Sequence, residues 1–240
     1  MDHPAGGVQR VAFFGGSFDP PHLGHIGIAR AAQVALQLDT VLFAPVGSQP
    51  LKPFGSTASF EDRVAMTELA IRGLPNFAIS FADVPDPSGE PNYTIDTLHR
   101  LQAQFASAQL FTLVGADSFL TLRRWYRGGE IPFVAPLIVA SRPGQRLEDL
   151  AGILPDGLTI HEEETEQGLN KESLLKVFTL KNPAGVTTPF YLLPGLEIEI
   201  SASEIRENVS AALDRLCAGH DLLPDAVCDY IATHGLYRSA

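Results

Sequence analysis

Along the first two-thirds of the chain, short apolar runs alternate with longer segments whose apolar residues recur at helical spacing. Val8–Phe14 has strand character and stops at Gly15-Gly16, and Gly24–Leu38 then places Ile28, Ala32, Ala35 and Leu36 on a helical face. Thr40–Ala44 predicts a second buried strand. Ser59–Ile71 predicts a second helix, with Phe60, Val64, Leu69 and Ile71 toward the core and Ser59 with Asp62 as its N-terminal cap. The rhythm continues through a strand at Phe77–Phe81, a helix at Tyr93–Phe105 and a strand at Leu110–Val114. A short helix to Trp125 and a fifth strand at Leu137–Ala140 complete it. Strands that are apolar throughout and separated by helices imply a parallel sheet covered on both faces. The expected fold is therefore α/β, a Rossmann-like, doubly wound parallel sheet with a C-terminal helical segment.

After Arg142-Pro143-Gly144 the rhythm breaks. Residues 145–195 are polar and punctuated by Gly and Pro, and they read as an irregular insertion in which Glu162–Glu164 forms a solvated face. Strands near Phe190–Leu193 and Glu197–Ile200 lead into helices at about Ser203–Cys217 and Pro224–His234. The expected organisation is a single domain. Its core spans 8–144, the insertion spans 145–195, and C-terminal helices occupy 196–240.

Composition narrows the partners. The 240 residues are 45% hydrophobic and 19% charged, with a formal net charge of −11. A chain this acidic is poorly suited to wrapping a nucleic-acid backbone, but a locally positive pocket still accommodates a small anion. The two cysteines, Cys217 and Cys228, show no CxxC spacing and read as buried thiols. No apolar run is long enough to span a bilayer, and Met1–Arg10 has no signal-peptide core, so a cytoplasmic location is expected.

The most informative stretch is Gly15-Gly16-Ser17-Phe18-Asp19-Pro20-Pro21-His22-Leu23-Gly24-His25, between the first strand and the first helix. Ligands of doubly wound sheets bind at the carboxyl ends of the strands. Glycines allow close backbone approach to a phosphate, and a helix N-terminus attracts its charge. His22 and His25, three residues apart at a helix start, project toward one spot and can hydrogen-bond phosphoryl oxygens. The stretch lacks both GxGxxG spacing and a P-loop lysine, and no third ligand is spaced locally for a metal. Further on, Ser201 with Glu204 fits a capping box, placing Ser203 and Arg206 in the first turn of a helix.

Residues 16–25 match the GxFxPxHxGH signature of the HxGH nucleotidyltransferase superfamily, and Ile200–Arg206 resembles its second signature. Within that superfamily the chain resembles the bacterial nicotinate-nucleotide adenylyltransferases. Asn92–Leu98 is similar to their SYTIDTL segment. Leu113–Ser118 with Leu122 and Trp125 is similar to GxDxxxxLxxW. Arg63, Met66, Leu69 and Ala70 match one of their helices, Ser141–Gly144 their RPG turn, and Leu223–Tyr237 their tail. Two departures stand out. Leu51 replaces the histidine of PxxxPPHK while Lys52 remains, and the polar stretch between Gly144 and Ile200 is longer than usual.

The resemblance implies adenylyl transfer from ATP to nicotinate mononucleotide, with no covalent enzyme intermediate. His22, His25, Lys52 and Arg206 would steady the reacting phosphates. ATP contacts would come from Gly15, Gly16, Ser17, Phe18 and Gly24, and from Gly115, Asp117, Arg142, Ser203 and Ile205. Trp125 would stack on the pyridine ring, while Thr94 and the backbone at Trp125-Tyr126 would meet the nicotinate group. Mg²⁺ would arrive with ATP, without a protein metal site. Neither nucleic acid nor membrane is an expected partner, and a homo-oligomer is compatible with the sequence. Nicotinamide mononucleotide and phosphopantetheine are the alternative acceptors, although phosphopantetheine enzymes usually carry TxGH where His22 stands. A non-catalytic nucleotide sensor is the alternative of another class.

Overall fold

The computed structural model describes residues 7–51, 55–140, 152–162, 175–193, 202–207 and 222–238. The chain runs β1 (Arg10–Gly16), α1 (Leu23–Leu36), β2 (Thr40–Pro45), α2 (Phe60–Ile71), β3 (Phe77–Ile79), α3 (Thr94–Gln104) and β4 (Gln109–Gly115). Then come α4 (Ala116–Leu120), a 3₁₀ turn at Leu122–Arg124, α5 (Ile131–Val134) and β5 (Leu137–Ala140). The strands β6 (Thr159–Glu162), β7 (Lys176–Lys181) and β8 (Thr187–Leu193) precede a helical stretch at 202–207 and the last helix, α6 (Asp225–His234).

One sheet holds all eight strands in the order β3-β2-β1-β4-β5-β8-β7-β6. From β3 to β8 every neighbouring pair is parallel. Consecutive side chains on a strand point to opposite faces, and here both faces are covered. Ala12, Phe14, Val41, Phe43, Phe111 and Ile138 join α1, α2 and α6 on one side. Val11, Phe13, Leu42, Ala44, Val114 and Val139 pack with α3 on the other. The order reverses between β1 and β4, so the crevice that takes ligands in such sheets opens where β1 and β4 end.

The helix faces differ in detail from the sequence expectation. On α1 the buried residues are Gly24, Ile26, Ala29, Ala32 and Leu36, while Ile28 and Ala35 are half-buried. On α2 they are Arg63, Met66, Thr67, Ala70 and Ile71, with Phe60, Val64 and Leu69 only half-buried. A buried arginine has drawn the face round by one position. The expected cap is present, the Asp62 N–H donating to Ser59 Oγ at 3.0 Å.

Between 145 and 195, β6 and β7 are regular strands where an irregular segment was expected, while β8 contains the strand expected near Phe190–Leu193. β6 pairs antiparallel with β7, and β7 with β8, which seats Phe178, Leu180 and Phe190 in the core. The β7–β8 turn closes with the Val186 N–H on Asn182 Oδ1 at 2.9 Å, and Gly185 supplies its left-handed residue at φ 83°. Cys228, expected as a free thiol, is disulfide-bonded. The expected strand at Glu197–Ile200 and the end of the helix after residue 207 lie outside the described residues. No helix among the described residues is long and apolar enough to cross a membrane.

Candidate active site

Gly15 and Gly16 end β1 in register with Ala44 and Pro45 of β2. At Gly15, near the end of β1, a Cβ would sit 2.7 Å from the buried Phe13 ring and would force that ring to shift. Phe18 follows at φ 47°, a left-handed conformation that is rare for a bulky residue. It is held by burial, its ring lying 4.9 Å from that of His25 and 5.5 Å from that of Phe14. The Phe18 side chain therefore belongs to the core, and only its backbone is available to a ligand.

His22 and His25 come together as expected, with ring centroids 3.7 Å apart. The His22 N–H donates to His25 Nδ1 at 3.2 Å, so the neutral His25 ring carries its proton on Nε2. Burial pushes the His22 pKa down to about 4. That of His25 lies well below its ordinary value through burial and the neighbouring His22. Both rings are neutral near pH 7. His22 Nδ1 is buried with no hydrogen-bond partner among the described residues, and such an orphan asks for a ligand or water.

Several distant segments converge on this loop. Asp19 is buried, and its carboxylate accepts the Thr57 N–H at 2.6 Å, the Ala58 N–H at 3.1 Å and the Tyr237 O–H at 2.7 Å. Burial and Asp19 together raise the Tyr237 pKa. Arg206 donates from Nη1 to the Asp19 carbonyl at 2.7 Å and from Nη2 to Ser203 Oγ at 3.1 Å. This brings the second signature against the first. Ser203 is exposed, whereas the Ile205 side chain is buried in the core and can offer a ligand only its backbone. The loop after β2 joins through Gln49, whose Nε2 donates to Ser17 Oγ at 2.8 Å.

The second cluster lies across the switch point. Gly115 ends β4 and begins α4, and Asp117 is exposed in the first turn of that helix. Thr94 is the first residue of α3, and the rings flanking this start, Tyr93 and Tyr126, are 4.5 Å apart. Trp125 is half-buried and donates from Nε1 to Thr121 Oγ1 at 3.0 Å, while Tyr126 is exposed. The predicted acceptor residues thus share one neighbourhood through the Tyr93–Tyr126 contact. Lys52, Arg142 and Ser201 lie outside the described residues.

Sequence reasoning left Asp19, Arg63, Gln49 and Tyr237 without roles. Asp19 stands inside the first signature and Arg63 on a matched helix, so a signal existed for both. Gln49 and Tyr237 also stood in matched stretches, but nothing in their spacing pointed to the contacts they make.

A cytidylyltransferase-like family model matches residues 13–208. Among curated relatives, "Probable nicotinate-nucleotide adenylyltransferase" of Gloeobacter violaceus is 34% identical over 95% of this chain and 96% of its own. The protein of the same name from Stenotrophomonas maltophilia is 36% identical, again over 95% and 96%. Among solved structures, Plasmodium falciparum nicotinic acid mononucleotide adenylyltransferase complexed with NaAD superposes with a TM-score of 0.67. It covers 95% of this chain and 97% of its own at 15% identity, a likeness of fold. The chain belongs to the cytidylyltransferase-like family, and within it to the nicotinate-nucleotide adenylyltransferases.

Proposed function

We propose that this protein transfers AMP from ATP to the 5′-phosphate of nicotinate mononucleotide, releasing pyrophosphate and forming nicotinate adenine dinucleotide. The observation that carries the reading is the pair of neutral histidines in ring contact beyond the carboxyl end of β1, His22 buried and His25 half-buried. Full-length relatives of that name supply the acceptor.

The acceptor phosphate is itself the nucleophile, so the reaction is an in-line attack on the α-phosphorus with pyrophosphate leaving. The protein's part is positioning and charge stabilisation. Neutral imidazoles donate N–H groups to phosphoryl oxygens without an ionic charge in the empty pocket, and an arriving polyanion favours their protonation. Arg206, anchored on Asp19, faces the departing pyrophosphate together with Ser203, and Lys52 reaches the triphosphate. Gly15, Gly16, Ser17, Phe18, Gly24 and Ile205 contribute backbone, and Arg142 contributes its side chain. Gly115 and Asp117 hold ribose hydroxyls. Trp125 stacks on the pyridine ring, with Thr94 and the Trp125-Tyr126 backbone at its carboxylate. Mg²⁺ enters with ATP as part of the substrate.

The test is pyrophosphate release from ATP and Mg²⁺ with nicotinate mononucleotide, nicotinamide mononucleotide or phosphopantetheine supplied in turn. A strong preference for the first is expected. Activity only with another acceptor overturns the roles of Thr94 and Trp125, and silence with all three overturns the catalytic reading.

A further inference from the structure

Arg63 heads the fully buried side chains by size, and it is a cation. Taking a guanidinium out of water is costly unless its donors are satisfied, and an apolar side chain would fill the same space on α2 at lower cost. Its two terminal nitrogens do not meet a carboxylate. Nη1 donates to the Ser17 carbonyl at 2.7 Å and Nη2 to the Val46 carbonyl at 2.8 Å. Nε is buried without a partner among the described residues, and the Phe60 ring lies 5.6 Å from the guanidinium carbon. Burial lowers the Arg63 pKa, and nearby Asp19 opposes that shift.

What the two carbonyls share is location. Ser17 belongs to the loop after β1, five residues before His22. Val46 is the first residue beyond β2, on the loop that carries Gln49 and leads to Lys52. The same two loops are joined by the Val46 N–H on the Gly16 carbonyl at 3.0 Å and by Gln49 on Ser17 Oγ. A planar fork with two donors spans two acceptors on separate segments, whereas an ammonium is a single point charge.

We propose that Arg63 is a positioning residue that clamps the loops after β1 and β2 into one phosphate-holding unit. Its charge offsets the partial negative charge of two carbonyls that would otherwise oppose an incoming triphosphate. The inference rests on the adenylyl-transfer reading for its substrate, and the direct hydrogen bonds of Arg63 fall on the β1 and β2 loops alone, the β2 loop also meeting Asn92 before α3 through Ser48. Arg63 ties the β1 and β2 loops, while Thr94 and Trp125 hang on α3 and the segment after β4.

The experiment compares wild type with Arg63→Lys, Arg63→Met and Gln49→Leu, at a temperature where circular dichroism shows each fully folded. Two quantities are read: calorimetric affinity for a non-hydrolysable ATP analogue, and the separate KM values for ATP and nicotinate mononucleotide with kcat. Arg63→Lys is expected to weaken analogue binding and raise the ATP KM by about tenfold, with a lower kcat. The KM for nicotinate mononucleotide should stay within about twofold of wild type. Gln49→Leu, at a half-buried side chain, severs the lesser tie and should move the same quantities by about threefold. A folded Arg63 variant with wild-type analogue affinity and ATP KM overturns the clamp, as does an equal rise in both KM values. If neither Arg63 variant folds, an unchanged ATP KM in Gln49→Leu overturns it. Wild type that binds the analogue but forms no dinucleotide sinks the adenylyl-transfer reading instead, and the binding comparison still decides the clamp.

Discussion

Replacing Tyr237 by Phe removes one hydroxyl and leaves the ring. That hydroxyl is one of three donors to the buried Asp19 carboxylate, the others being the Thr57 and Ala58 N–H groups. A hydrogen bond to a charged group contributes about 1.5–3 kcal/mol, and the loss here should be about 2 kcal/mol because two donors remain. In a domain of this size each kcal/mol moves the midpoint by about 2–4 °C, so Tyr237→Phe should melt about 4–8 °C lower. The control is Tyr230→Phe. Its hydroxyl donates to Asp62 at 2.9 Å, and Asp62 keeps its bond with Ser59 Oγ nearer the surface. There the loss should be about 1 kcal/mol or less. Thermal and urea melting of the three proteins at pH 7 measures both differences, with an unchanged urea m-value showing that only stability has moved. A Tyr237→Phe midpoint within about 1 °C of wild type, or no lower than that of Tyr230→Phe, would refute the view that this hydroxyl secures the loop.

Removing one transition-state donor typically lowers turnover by about 10²–10³, so His25→Ala should lose that much kcat in the pyrophosphate-release assay. A loss of only a few-fold would exclude His25 from the phosphate contacts. Trp125 is the one tryptophan in the chain, so intrinsic fluorescence reports on it alone. Nicotinate mononucleotide should quench that emission with saturation, and a flat titration would place the ring elsewhere. His22 has a folded pKa of about 4 against an ordinary 6.5, so the unfolded chain takes the proton first. Stability from this group is complete above pH 6.5 and is lost as pH falls toward 4, by about 3 kcal/mol in all. His22→Asn should flatten the acid limb of a stability-against-pH curve by that amount, and an identical acid limb would contradict the burial argument.

The parallel part of the sheet was legible because its strands are apolar on both faces and its turns carry glycine. Leu137–Ala140 emerges with the bounds expected from its apolar run. The antiparallel strands β6 and β7 were not legible. In β7 the inward residues Phe178 and Leu180 alternate with Val177 and Thr179 between two lysines, and six residues of period-two pattern resemble a solvated loop. The buried face of α2 was misplaced for a related reason. Hydrophobic periodicity has no means of counting Arg63, which is inside because two backbone carbonyls hold it there. The convergence of the two histidines and Arg206 on one loop was readable from ordered signatures. The partnership of Asp19 with Tyr237 was not, since residues 218 positions apart leave no periodic trace of their contact.

That separation also orders events during synthesis. The loop bearing His22 and His25 is complete by residue 25, yet Asp19 must wait for Arg206 and then for Tyr237. Domains generally fold as units, and contacts of long sequence separation carry the larger closure cost. A chain still being translated can lay down β1 to β5, but the loop bearing His22 and His25 lacks its fastenings to Arg206 and Tyr237 until those residues arrive. Activity is therefore a late property of the nascent chain, and a product cut short before residue 237 would hold a sheet without a finished site.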